Sequence, residues 1–185
     1  EALPWIQYAQ EKYKIRFAIE VGTIKHIKLA LEHNISTFWI GARTTSNPFS
    51  IQEMADYMKG KRVEVWIKNP IFSNIELWFG AIERFQNNNI HNLKVIHRGF
   101  FDEKSNKYRN PPRWDLVKKF KEKYPTIPII CDPSHIAGNN DLIQEVSQIA
   151  MDLDMSGLMI ETHNNPQMAL SDSRQQITPQ QLRDI

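Results

Sequence analysis

The chain has 185 residues, a formal net charge of +2, and 41% hydrophobic against 24% charged residues; this is the balance of a folded globular protein and excludes a disordered one. So small a charge gives no basis for nucleic-acid or acidic-membrane binding, and no apolar run approaches the ~20 residues that a membrane helix needs. The single cysteine, Cys131, excludes an internal disulfide and fits a reducing cytoplasm.

In chain order, Glu1–Lys14 reads as a leading amphipathic helix. The chain opens inside this segment without a signal-like start, so an upstream part is expected to be missing or removed. Six short β-rich runs follow: Arg16–Val21, Thr37–Ile40, Val63–Ile67, Leu93–Ile96, Ile127–Cys131 and Gly157–Ile160. Several are apolar at consecutive positions, as strands buried on both faces should be. Helical periodicity lies between them in Ile24–His33, Asn74–Gln86, Leu116–Tyr124 and Leu142–Leu153, each with an apolar stripe. Asp102–Pro112 is a polar, proline-bearing loop. Alternating strand and helix predict βαβ units on a parallel sheet in a single α/β domain.

Six such units fit either an open doubly wound sheet or most of an eight-stranded barrel. Nearly every run ends in polar residues: Glu20, Gly41–Thr45, Lys68-Asn69-Pro70, His97-Arg98-Gly99, Asp132–His135 and Glu161-Thr162-His163. Function spread over many strand ends is the barrel arrangement, whereas an open sheet concentrates it at one switch point. Neither GxGxxG nor GxxxxGK[ST] is present.

Arg43, Lys68 and Arg98 each follow a different strand. At one mouth they would converge on an anion, and the arginine fork matches phosphate or carboxylate oxygens; singly, each is also compatible with a surface ion pair. His135, Glu161 and Asp172 offer one nitrogen and two carboxylates, a set suited to Mn²⁺, Fe²⁺, Co²⁺ or Zn²⁺, although their spacing equally describes a polar hydrogen-bonded network. His163 is either a support for that group or a rim histidine. Asp132 either orients a neighbour or turns the chain with Pro133. Trp39, Trp66, Trp78 and Trp114 are expected in the core, His26, His33 and His91 on the surface, and Cys131 as an inert buried thiol. Lys118–Lys123 reads as a solvated helix face.

The motifs GARTT (Gly41–Thr45), KNP (Lys68–Pro70), HRGF (His97–Phe100), DPSH (Asp132–His135), ETH (Glu161–His163) and ALSD (Ala169–Asp172) occur in this order. Together they resemble 3-deoxy-D-arabino-heptulosonate 7-phosphate (DAHP) synthase of the bacterial class I type, from about Glu20 to the C-terminus. GARTTSNPFSIQE, YRNPPRW and QQITPQQL are most similar to the subgroup often fused to a chorismate mutase domain. The resemblance implies a (β/α)8 TIM barrel, of which this chain covers about strands 3 to 8. It also implies a metal-dependent condensation of phosphoenolpyruvate with erythrose 4-phosphate, the first step of the shikimate pathway, in a cytoplasmic homo-oligomer. By motif, Arg43 and Arg98 would hold the phosphoenolpyruvate phosphate. Lys68 would contact the carboxylate region and assist proton transfer. His135, Glu161 and Asp172 would ligate the metal, which polarises the aldehyde. Glu20 matches an acidic position at the end of the family's third strand and is a substrate-side candidate.

This sequence departs from the family pattern at its start. The family's first strand carries a cysteine metal ligand and its second is followed by a Lys-Pro-Arg-Thr segment; neither occurs here, and Cys131 belongs to the DPSH strand. Two of eight strands are therefore expected to be absent, which would leave raw barrel edges and a chain inactive by itself. Two alternatives stand beside this reading: 3-deoxy-octulosonate 8-phosphate synthase, from which the GARTT and KNP forms lean away, and a non-catalytic phosphate-binding fragment.

Overall fold

The computed structural model describes residues 2–185; Glu1, assigned to the leading helix from its sequence, lies outside the described residues. The chain packs as two compact units, the first containing residues up to Pro70 and Asn74–Lys94, the second Ile71–Ser73 and Val95–Ile185.

The first unit opens with α1 (Leu3–Tyr13), which contains no buried residue, followed by β1 (Ala18–Glu20), α2 (Ile24–Glu32), β2 (Thr37–Ile40), α3 (Ala42–Thr45), α4 (Pro48–Met58), β3 (Glu64–Lys68) and α5 (Ile75–Asn87). Its strands are parallel in sequence order, with Ile19 opposite Phe38 and Phe38 opposite Val65. Neighbouring parallel strands need helical crossovers, here α2 between β1 and β2 and the pair α3 and α4 between β2 and β3. α5 buries Trp78, Phe79, Ala81, Ile82 and Phe85, each large side chain contributing roughly 1.5–3 kcal/mol. The Trp78 indole N–H donates to the Ile67 carbonyl at 3.1 Å, which satisfies the one polar atom that its burial would otherwise strand.

Helix α4 has no counterpart among the helices expected from sequence periodicity. It starts because the Asn47 side chain accepts from the Phe49 and Ser50 N–H groups at 3.1 and 3.3 Å and Pro48 takes the first turn, where its missing N–H costs nothing. Its buried residues Ile51, Met54, Ala55 and Met58 do follow helical spacing.

The second unit holds most of β4 (Leu93–His97), then α6 (Trp114–Lys123), β5 (Ile129–Cys131), α7 (Pro133–Ala137), α8 (Ile143–Asp152), β6 (Gly157–Leu158) and α9 (Pro179–Arg183). Val95 pairs with Ile129 and Ile130 with Gly157, again in parallel. Beyond β6 the Met159 N–H still donates to the Cys131 carbonyl at 2.7 Å, so the sixth run is shorter as a strand than its apolar stretch. Lys118, Lys119, Glu122 and Lys123 are exposed, as expected of a solvated face, and Lys121 Nζ donates to the Leu153 carbonyl at 2.8 Å. A cation at the end of α8 favours the negative pole of that helix.

The expected tryptophan core is met by Trp78 alone, which is fully buried. Trp39, Trp66 and Trp114 are half-buried. Two of these present a ring face to an ammonium: Lys68 Nζ lies 4.5 Å from the Trp39 centroid and Lys94 Nζ 4.9 Å from that of Trp66. An aromatic face attracts a cation while the ring still covers apolar surface.

Glu64, on β3, is a heavily engaged carboxylate of the first unit. It is buried yet ion-paired with Lys94 at 2.6 Å and Arg16 at 3.5 Å, and it accepts from the Trp66 N–H at 2.7 Å. Burial alone would raise its pKa; the Lys94, Trp66 and Arg16 contacts together hold it below the ordinary carboxylate value. A depressed carboxylate contributes stability that is complete above its unfolded pKa and is lost as pH falls through the folded one. K94M should therefore destabilise the fold by about 1–3 kcal/mol at pH 7 and flatten the loss of stability between neutral and acid pH, both read from urea unfolding at pH 7 and pH 4.

Candidate functional site

In the first unit, three of the sequence candidates stand at strand ends. Glu20 closes β1 and is exposed, and its carboxylate lies directly against Gly41, where a side chain would overlap it. Arg43 is exposed in α3, immediately beyond β2. Lys68, the last residue of β3, is buried over the Trp39 ring, a setting that keeps its ammonium fixed at the strand terminus. Asn69 beside it is also buried.

In the second unit, the polar ends of β4 and β5 are joined through a loop. Arg98 follows β4 and donates from Nη1 to Asn110 Oδ1 at 2.8 Å, while Asn110 Nδ2 donates to the His135 carbonyl at 2.7 Å. Backbone bonds from Arg109 N to Ala137 O (3.3 Å) and from Asn110 N to Ile136 O (3.2 Å) dock this loop onto the end of α7. Two glycines with positive φ make the docking possible. A Cβ on Gly99 (φ 74°) would overlap the Asn110 carbonyl, and one on Gly138 (φ 72°) would overlap the Arg109 side chain; left-handed backbone is least costly for glycine.

His135 is oriented from below. Asp132, almost fully buried, caps α7 by accepting the His135 N–H at 3.0 Å and also faces the ring Nδ1 at 2.9 Å. An ionised carboxylate only accepts, so this contact calls for a proton on Nδ1. Asp132 thus both turns the chain and orients its neighbour, the two roles that its sequence position left open. Glu161 is brought close, with Oε1 3.8 Å from His135 Nδ1, and its own N–H donates to Ser134 Oγ at 3.0 Å.

Asp172 is placed differently. Its carboxylate is ion-paired with Arg109 Nη1 at 2.7 Å, and it sits in the left-handed region at φ 49°, which aspartate tolerates better than most residues. Among the described residues, no group of three or more His, Cys, Asp or Glu side chains is gathered as a ready-made cation site. The donor types, one imidazole and two carboxylates, are those that suit a divalent cation, but the placement does not assemble them: Glu161 approaches His135 at Nδ1, the nitrogen that faces Asp132, and Asp172 is taken up by Arg109. His163 accepts the Asn165 N–H on its ring at 3.0 Å. Arg109, Asn110, Ser134 and Gln175 were not singled out from the sequence. Their only cue was membership in the YRNPPRW, DPSH and QQITPQQL stretches.

His97 lies beneath Arg98. It is fully buried, its ring 5.3 Å from that of Trp114 and 5.8 Å from that of Phe100, and neither ring nitrogen has a hydrogen-bond partner. Desolvation lowers its pKa to about 3, with the Arg98 charge acting in the same direction and the Pro112 backbone and Asp132 opposing it. Cys131, also buried, has its thiol pKa pushed up by desolvation, in keeping with an inert thiol.

With this geometry established, comparison with known proteins is decisive for the family. The profile of the DAHP synthetase I family matches residues 1–185. The chain belongs to that family. It is 23% identical over 187 residues to a phospho-2-dehydro-3-deoxyheptonate aldolase of Thermotoga maritima, covering 100% of this chain and 53% of the relative. The chain therefore spans about half the length of the curated relative it matches. The crystal structure of the Thermotoga maritima DAHP synthase superposes with a TM-score of 0.87 at 24% identity, over 98% of this chain and 52% of that one. A truncated form of the Thermotoga maritima synthase superposes at 0.86 and 24% identity, over 98% of this chain and 67% of the other. This likeness shows the fold: the chain carries six parallel strands of a (β/α)8 barrel of the DAHP synthase kind.

Two outcomes follow from the second unit. His97 should show no NMR titration between pH 4 and 8. Because its folded pKa lies below the unfolded 6.5, it should erode stability as pH falls from about 6.5 towards 3. G138A should lower the melting temperature by several degrees, a cost of about 1–3 kcal/mol for strained backbone and displacement of Arg109; thermal unfolding followed by circular dichroism checks it.

Proposed function

We propose that this chain carries part of the catalytic machinery of a DAHP synthase, which joins phosphoenolpyruvate to erythrose 4-phosphate and releases phosphate. One observation carries the proposal beyond family membership: two hydrogen bonds of 2.8 and 2.7 Å connect Arg98, an anion-type residue, through Asn110 to the segment presenting His135. An anion fork and an oriented imidazole are thereby held to one rigid element, as positioning chemistry requires.

The residue roles follow the family motifs. Arg43 and Arg98 hold the phosphoenolpyruvate phosphate by charge-assisted hydrogen bonds. Lys68 meets the carboxylate region and serves proton transfer, its ammonium steadied by Trp39. Glu20 is a substrate-side carboxylate. By those motifs His135, Glu161 and Asp172 would hold a divalent cation of the Mn, Fe, Co or Zn type. When bound, that cation supplies Lewis-acid polarisation of the aldehyde. In the balanced reaction C3 of phosphoenolpyruvate bonds to the aldehyde carbon, water adds at C2, and the C2–O bond to phosphate breaks.

A cytoplasmic location fits the single buried cysteine, and no helix among the described residues is long and apolar enough to cross a membrane. Homo-oligomerisation and fusion to a chorismate mutase domain rest on the family resemblance.

Full-length protein incubated with phosphoenolpyruvate should release phosphate with erythrose 4-phosphate and not with arabinose 5-phosphate. EDTA should abolish the reaction and Mn²⁺ restore it. R98A should lower kcat/KM by about 100-fold or more. Turnover of arabinose 5-phosphate alone would establish the octulosonate reading, and binding of phosphoenolpyruvate without any turnover would establish the non-catalytic one.

A further inference from the structure

Asn110 is 4% exposed, and both ends of its side-chain amide are engaged. Oδ1 accepts from Arg98 Nη1 at 2.8 Å, and Nδ2 donates to the His135 carbonyl at 2.7 Å. Both bonds lie inside the second unit.

The backbone leaves this amide little room to move. The Asn110 N–H donates to the Ile136 carbonyl at 3.2 Å. Its own carbonyl lies where a Cβ on Gly99, the residue after Arg98, would overlap it. One position further on each strand of the loop, the Pro111 carbonyl accepts the Phe100 N–H at 2.9 Å. Before Arg98, the His97 carbonyl accepts the Asp132 N–H at 2.7 Å. On the outer side of the loop, Lys107 Nζ and the Tyr108 hydroxyl reach Glu145 of α8 at 2.6 and 3.0 Å. The segment carrying Arg98, the Asn110 amide and helix α7 are thus one packed piece.

Amide chemistry accounts for the residue type. The Arg98 guanidinium carries five N–H donors in a planar fork. A neutral acceptor on Nη1 restrains the plane of that fork and leaves its charge intact. Aspartate would also accept from Arg98, but as an ion pair it would offset the charge that an anion needs. When ionised it could not donate to the His135 carbonyl. Alanine would remove both bonds. An amide of this length is the side chain that accepts from the arginine and donates to the carbonyl with one rigid group.

We propose that Asn110 is a positioning residue for phosphoenolpyruvate: it sets the plane of the Arg98 fork and leaves its charge for the substrate phosphate, so that affinity for phosphoenolpyruvate depends on a neutral amide at position 110. This rests on the assignment of Arg98 to the phosphoenolpyruvate phosphate.

The test is isothermal titration calorimetry of phosphoenolpyruvate into the full-length protein. N110D keeps an acceptor for Arg98 but adds an opposing charge and loses the donor to His135, and N110A removes both bonds. Each should weaken the phosphoenolpyruvate Kd by about 10- to 100-fold, the worth of a hydrogen bond to a charged group, with far-UV circular dichroism unchanged in at least one of them. In steady-state assays the KM for phosphoenolpyruvate should rise with the Kd while the KM for erythrose 4-phosphate stays at its wild-type value; a merely structural role would move both. Wild-type Kd in a folded N110D or N110A protein, alongside loss of binding in R98A, would overturn the role of Asn110 and leave the Arg98 assignment standing. Unfolding of both variants would also overturn it, since position 110 would then serve the fold. Wild-type Kd in R98A would overturn the Arg98 assignment, and the role of Asn110 with it.

Discussion

The docking of Arg109 and Asn110 against the end of α7 is the constraint on which the second unit's polar chemistry depends. It is made by two backbone hydrogen bonds and by the absence of side chains at Gly99 and Gly138. Once the loop is seated, Asn110 reaches both Arg98 and the His135 carbonyl, and Arg109 reaches Asp172 and Gln175. A misplacement of this loop would therefore be felt at an anion fork and at two carboxylates together. Side-chain networks of this kind rigidify a site when every member is satisfied.

The electrostatics of the two units differ in kind. In the first, Glu64 is buried but compensated by two cations and an indole N–H, so its charge supports the fold near neutral pH. In the second, desolvation outweighs the Pro112 backbone and Asp132 and holds His97 well below the ordinary histidine range, its ring packed against those of Phe100 and Trp114. A neutral base there adds no positive charge next to the arginine, whereas a protonated one would carry a large desolvation cost.

Much of the architecture was legible in the sequence because apolar runs and polar strand ends are local signals. All six runs overlap strands, Thr37–Ile40 coincides with β2, and β3 and β4 each reach one residue past the expected end, to Lys68 and His97. The run Arg16–Val21 contracts to three paired residues, because pairing depends on a neighbour's length as well as on composition. Helix α4 begins inside the GARTTSNPFSIQE stretch, whose similarity to a family subgroup says nothing of secondary structure, although Asn47 and Pro48 are a helix-start signal. Tryptophans 39, 66 and 114 were assigned wholly to the core because hydrophobicity does not report which face of a ring meets a cation.

Sequence by itself determined the α/β class, the succession of βα units, and the polar residues Glu20, Arg43, Lys68, Arg98, His135 and Glu161 at or just beyond the strand ends, since these follow from periodicity and from six motifs in order. Tertiary structure alone decided which partners orient them. Arg109 and Asn110 lie in a loop that carries no periodic signal, Gln175 is separated from Glu161 by 14 positions and Arg109 from Asp172 by 63, and only folding brings such residues within hydrogen-bond reach. Tertiary structure also set the state of Asp172, whose carboxylate is held by a guanidinium rather than turned towards His135, because an ionised side chain takes the strongest counter-charge within its reach.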